Sequence, residues 1–144
     1  MAHADKGKYK AKHPDKVTVS EKLTEGVKRA SKKGDITCAS AAKISDSQKI
    51  GMDKVGIAID LAEIRIIKCQ LGLFGYGSGK TALKPSESVS KELKDAIKKA
   101  LVKGYLPCVA AWHIAERFSI PRISVAAACE ALHIKVKPCQ LGAF

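Results

Sequence analysis

The chain has 144 residues, enough for one ordinary domain or two very small ones. An apolar content of 46% with a mean hydropathy of −0.07 excludes a wholly disordered chain, and no apolar run approaches the roughly 20 residues that a membrane span needs. Lys and Arg number 26 against 14 Asp and Glu, and the resulting +12 attracts polyanions such as nucleic acid or an acidic protein surface.

Residues 1–18 place Lys6, Lys8, Lys10, Lys12 and Lys16 among Gly, His and Pro, with little to bury, and read as a mobile basic arm. This stretch has no apolar h-region, so no secretory signal is expected and a cytoplasmic location is. The five cysteines are an odd number without a dense framework, which fits reduced thiols better than disulfides.

From residue 19 the chain repeats itself. Adding 70 to a residue number aligns 19–74 with 89–144 without a gap, giving 19 identities over 56 positions. Val19, Ser20 and Leu23 fall on Val89, Ser90 and Leu93; Lys33-Gly34 falls on Lys103-Gly104, and Cys38 on Cys108. Ala41, Ile44, Ile50, Val55, Ala58 and Ile64 match Ala111, Ile114, Ile120, Val125, Ala128 and Ile134. Cys69-Gln70-Leu71-Gly72 returns as Cys139-Gln140-Leu141-Gly142. Residues 75–88 have the Gly/Ser/Pro composition of a linker.

Each repeat predicts three helices and a short strand. Ser20 and Ser90 are suited to N-caps, since a hydroxyl there accepts an otherwise unpaired backbone N–H. Leu23, Val27 and Ala30 line one face of the first helix, as Leu93, Ala96, Ile97, Ala100 and Leu101 do in the second copy. Gly34 and Gly104 are expected to end these helices in the left-handed conformation, behind cations that suit the helix dipole. A second helix is expected near Pro107 with Ala111, Ile114, Ala115 and Phe118 inward. After a break at Phe118-Ser119-Ile120-Pro121-Arg122, with Ile120 buried in the turn, a third should bury Val125, Ala128, Cys129 and Leu132. Residues 65–68 and 134–137 read as short strands, either as wings or paired with each other across a pseudo-two-fold axis. The expected fold is therefore mostly α, with two tandem trihelical helix-turn-helix repeats, 19–74 and 89–144.

The pattern Ala111, Ile114, Ala115, Phe118, Ile120, Val125 resembles the helix-turn-helix half of small prokaryotic regulators. It is most similar to the winged-helix DNA-binding domain of molybdate-responsive (ModE-type) regulators. The likeness covers about 30 residues per repeat; no molybdate-binding domain follows, and the CQLG segment is foreign to that family. It implies sequence-selective duplex binding, with the third helix of each repeat in a major groove.

Base reading calls for Arg, Lys, Asn or Gln on that third helix. The second repeat offers Arg122 and Ser124, and the first offers Lys54 amid Asp53, Asp60 and Glu63, which phosphate would repel. Phosphate contacts fit the first helices, through Lys28, Arg29, Lys32 and Lys33, and through Lys98, Lys99 and Lys103; a solvated helix face is the plainer reading of the same clusters. No CxxC occurs. Cys38, Cys108 and Cys129 suit helix interiors, whereas Cys69 and Cys139, each in a Gly-bearing turn, could form a metal or redox pair, with structural packing the default. His113 and His133 have no partner at metal spacing, and Trp112 stands where the first repeat has Ala42.

Gly75-Tyr-Gly-Ser-Gly79-Lys80-Thr81 imitates a P-loop, but the fifth residue back from Gly79 is Phe74 rather than Gly, and Pro85 would interrupt the helix such a loop opens. With no paired carboxylates or Ser/Cys–His arrangement either, no enzymatic activity and no cofactor are expected. The leading expectation is a DNA-binding transcriptional regulator on double-stranded DNA, its repeats meeting successive major grooves about 34 Å apart. The alternatives are a protein-interaction module or accessory subunit, and a metal- or redox-responsive regulator using Cys69 and Cys139.

Overall fold

The computed structural model describes residues 19–76 and 83–143. The basic arm expected at 1–18, residues 77–82 of the expected linker, and Phe144 lie outside them. The chain divides into two compact units, Met1–Cys69 with Gln140–Phe144, and Gln70–Cys139. The fold is mostly α, as expected. No helix among the described residues is long and apolar enough to cross a membrane.

The first unit holds α1 (Glu21–Ala30), β1 (Asp35–Thr37), α2 (Cys38–Gln48), α3 (Met52–Leu61) and β2 (Arg65–Ile67). Ser20 caps α1 as predicted, its hydroxyl accepting from the Leu23 N–H at 3.2 Å. The three helices pack on one another around Leu23, Val27, Ile36, Ala41, Val55 and Ile59, all nearly inaccessible to solvent. Between α2 and α3 the chain turns in three residues. Lys49 takes the left-handed conformation (φ 53°), and the Ile50 N–H reaches back to the Ser45 carbonyl at 3.0 Å. This closure satisfies the last carbonyls of α2 and redirects the chain into α3.

The second unit holds α4 (Lys91–Lys99), α5 (Cys108–Phe118) and α6 (Arg122–Ala131), and α5 packs against both other helices. Ser90 caps α4 as Ser20 caps α1. Pro107 precedes α5 as its extended N-cap rather than lying inside the first turn. The α5–α6 turn uses Ser119 (φ 54°), with the Ile120 N–H on the Ala115 carbonyl at 3.0 Å. Ile120 itself is half-buried, not buried as expected, and so are Leu93, Phe118 and Leu132. Leu106, Ala111, Ile114, Val125, Ala128 and Cys129 form the core.

Two expectations need correction. Gly34 and Gly104 do not end helices, because α1 is closed by Ser31 in extended backbone and α4 by Ala100. They are instead the second corner of two-residue turns, Lys33-Gly34 (φ 52° and 80°) and Lys103-Gly104 (φ 51° and 85°). Lys32 and Asp35 exchange backbone hydrogen bonds of 2.7 and 3.0 Å, and Val102 and Tyr105 bonds of 2.8 and 3.0 Å. Two consecutive positive φ values make a type I′ reversal, which turns the chain back tightly where a helix cap would let it drift.

The short strands are neither wings nor partners of each other. β2 pairs in parallel with β1, Asp35 opposite Arg65 and Ile36 opposite Ile66, a strand that follows directly from the Lys-Gly turn. In the second unit Val136 pairs in parallel with Leu106. Opposite residues Asp35 and Arg65 also join side chains, with Nε to Oδ1 and Nη2 to Oδ2 both at 3.0 Å. Such a two-pronged fork fixes the register as well as adding attraction.

A Cβ at Gly104 would meet nothing within 4 Å, so substitution there probes backbone strain alone. Gly104→Val should cost about 1 kcal/mol and lower the melting temperature by roughly 4 °C, while Gly104→Asn should stay near wild type. Equal melting of all three proteins in a calorimetric scan would mean the turn is not of this type.

Candidate nucleic-acid interface

The basic clusters read from the sequence are fully presented. Lys28, Arg29, Lys32 and Lys33 are exposed around the C-terminal end of α1, and Lys98, Lys99 and Lys103 around that of α4. Among the described residues none of these side chains is held in an ion pair. Sequence reasoning missed Lys91 and Lys94. With Lys98 they stand at i, i+3 and i+7, opposite the buried Ala96 and Ile97. At 1.5 Å per residue the stripe extends about 10 Å, the span of two or three phosphates along one strand, whose charges lie about 3.4 Å apart along the axis. The signal was available in the spacing, but Glu21 and Thr24 occupy the matching places of α1 and hid it from a search for shared features. The stripe is basic throughout on α4 and mixed on α1.

The third helices, expected to read bases, are covered. In the first unit Gly56 is buried, and a Cβ there would collide with the Leu141 carbonyl. The segment around Leu141, itself 2% exposed, thus lies across the middle of α3. Of the helix residues only Asp53 and Lys54 are exposed. In the second unit Gln70, Gly72 and Ser86 lie along α6. Gln70 Oε1 accepts from Arg122 Nη1 at 3.3 Å, a Cβ on Gly72 would come within 2.7 Å of Ile123 Cδ1, and the Ser86 N–H donates to the Ala127 carbonyl at 3.1 Å. Only Glu130 of α6 is exposed.

Of the residues assigned to base edges, Arg122 is therefore engaged internally, its guanidinium carbon also 3.6 Å from the centroid of the Trp112 ring. That cation–π stack explains why Trp112 replaces alanine here. Ser124 is half-buried, and Lys54 is exposed beside Asp53.

None of the five cysteines forms a disulfide; Cys38, Cys69, Cys108 and Cys129 are buried and Cys139 is half-buried. Cys69 falls in the first unit and Cys139 in the second. No cluster of three or more His, Cys, Asp or Glu suited to a metal occurs among the described residues. His113 is exposed on a groove of about 630 Å³ between α4 and α5, whose rim mixes Glu92 and Asp95 with Lys99 and Arg117 and so favours neither charge. His133 (φ 57°) is the exposed turn residue that closes α6.

No family model, no curated protein and no solved structure matches this chain.

Burial, with the Glu130 carboxylate adding to it, pushes the Cys129 thiol from its ordinary 9.0 up to about 11. The folded chain thus holds this proton more tightly than the unfolded one. The resulting stability is complete below pH 9 and is lost as pH rises towards 11. Cys129→Ala should therefore flatten the fall in stability between those values. In native protein at pH 8, alkylation followed by mass spectrometry should mark Cys139 first and Cys129 last. Early labelling of Cys129 would contradict its burial.

Proposed function

We propose that the chain is a duplicated, helix-turn-helix-derived protein that binds nucleic acid through its phosphates. Several features support the duplication. The identities run in one register over 56 positions. Helices α2 and α5 start at Cys38 and Cys108, and α3 and α6 at Met52 and Arg122, 70 residues apart in each case. The left-handed residues Lys33, Lys49 and Glu63 recur as Lys103, Ser119 and His133.

The observation that carries the binding proposal is the unpaired, exposed basic surface of α1 and α4 on a chain of net charge +12. Lysines free of carboxylate partners release counterions when they meet phosphate, and that release drives sequence-independent affinity. Base reading by α3 and α6 has less support. Uncovering α3 would expose Leu141 and Ala143, costing about 3 kcal/mol, which cancels one to three good base contacts at roughly 1–3 kcal/mol each. It would also turn Asp53 and Asp60 towards phosphate. The repeats thus act as a scaffold that presents the first helices and Lys-Gly turns to a duplex, in the architectural rather than the groove-reading manner.

Replacing Lys91, Lys94 and Lys98 together with Gln should weaken binding of a 20-base-pair duplex at least tenfold at 0.1 M salt. It should also reduce the slope of log affinity against log salt by about 2 to 3. Arg122→Ala and Lys54→Ala should leave affinity and sequence preference unchanged. Absence of duplex binding at low salt, or a slope unaffected by the triple replacement, would refute the assignment.

A further inference from the structure

The two copies differ in character where the Lys-Gly turn meets the short parallel strands. Lys32, Asp35 and Ala39 of the first repeat become Val102, Tyr105 and Val109 in the second. In the first unit this place is hydrophilic, with Asp35 forked to Arg65 and Lys32 exposed. In the second unit it is apolar and open. Val102 is 57% exposed and Val109 43%, two of the three large hydrophobic residues exposed among the described residues.

These residues form one neighbourhood. Val102 is hydrogen-bonded through its backbone to Tyr105, and Lys137 Nζ lies 4.0 Å from the centroid of the Tyr105 ring. The Cys108 N–H donates to the Pro138 carbonyl at 3.1 Å, which sets the first turn of α5, and hence Val109, beside the end of the same strand. Lys103 in the turn and Lys135 and Lys137 on the paired segment are exposed, and none of them forms an ion pair among the described residues.

We infer that this end of the second unit is a docking surface for an acidic protein segment carrying an apolar anchor. Aliphatic side chains at the centre and unpaired cations at the rim make the layout of a protein interface, with the anchor supplying affinity and the lysines steering approach and register. The aliphatic pair argues for protein over nucleic acid. A base would need an open aromatic face to stack on, and the Tyr105 and Trp112 rings already carry Lys137 and Arg122. This surface shares Lys103 with the basic cluster at the end of α4 but includes none of Lys91, Lys94 and Lys98, and its apolar centre does not depend on the phosphate-binding proposal.

The test titrates the full-length protein with fluorescent 12-residue peptides whose Asp/Glu content and Leu/Ile/Phe content vary independently. Peptides rich in both should bind at least tenfold more tightly than those rich in one. Val102→Ser with Val109→Ser should abolish the dependence on apolar content, and Lys103→Gln with Lys137→Gln the dependence on acidic content. All four substitutions are at exposed positions, and loss of the Lys137–Tyr105 contact costs about 1 kcal/mol at most, so melting curves should shift by only a few degrees and loss of fold is checked directly. Affinity that follows peptide charge alone, no binding across the series, or a valine double variant that weakens a 20-base-pair duplex instead would each overturn the inference.

Discussion

A strand of backbone lying across the third helix governs the rest of this architecture. At Gly56 that strand runs so close that no side chain larger than hydrogen fits beneath the Leu141 carbonyl. On α6 the corresponding surface is Ala126, 1% exposed, with Gln70, Gly72 and Ser86 ranged along the helix. Leu71 and Leu141, the same residue of the repeated CQLG, are both almost wholly buried, worth about 2 kcal/mol each. The connectivity gives this an unusual consequence. Gln70-Leu71-Gly72, which ends the first repeat, belongs to the second unit, and Gln140-Leu141-Gly142, which ends the second repeat, belongs to the first. Each trihelical core is thus finished by residues the other repeat supplies, and CQLG is conserved between the copies because both must fit the same kind of seat.

Covering the third helix moves the available charge elsewhere. In a helix-turn-helix reader the second helix of the motif carries the base-contacting side chains. Here that helix exposes Asp53 and Lys54 in one unit and Glu130 in the other, a net acidic remainder. Exposed cations gather instead on the helix that braces the motif, Lys28, Arg29, Lys98 and Lys99 at the end the dipole favours and Lys91 and Lys94 at the start of α4. The two units then diverge. The first closes its strand end with the Asp35–Arg65 fork, while the second leaves valines and lysines open. The residues that differ between the two units at these places are mostly exposed, so the surfaces diverge at little cost to either core.

Much of the frame was legible in the sequence because its signals are local. The serine caps, the helix-turn-helix break at Phe118–Arg122 and the inward Ala111, Ile114 and Val125 follow from periodicity and turn chemistry, and the helices occur where those signals put them. Other features were illegible for identifiable reasons. Lys-Gly after a helix fits both a C-cap and a reversal, and only the partner strand decides between them. The three residues of β1 are too short for alternation to register. The cover over α3 and α6 depends on contacts between segments far apart in sequence, to which a helical pattern is blind. Arg122 looked like a base reader because its position suits one; its engagement with Trp112 and Gln70 is a tertiary fact.

The same reasoning limits how specific any nucleic-acid contact can be. Discrimination between bases draws on contacts that reach base edges, each worth roughly 1–3 kcal/mol, and the exposed lysines of α1 and α4 are long, mobile point charges suited to phosphate rather than to a bidentate fit. With α3 and α6 enclosed, choice among partners must come from the spacing of charges along a backbone or from a second surface that admits only certain proteins. The aliphatic patch at Val102 and Val109 has the composition for the second role, because water penalises its exposure whatever nucleic acid is bound. Under the two proposals, the chain would gather affinity from phosphate and take its specificity from protein, with the third helices left closed.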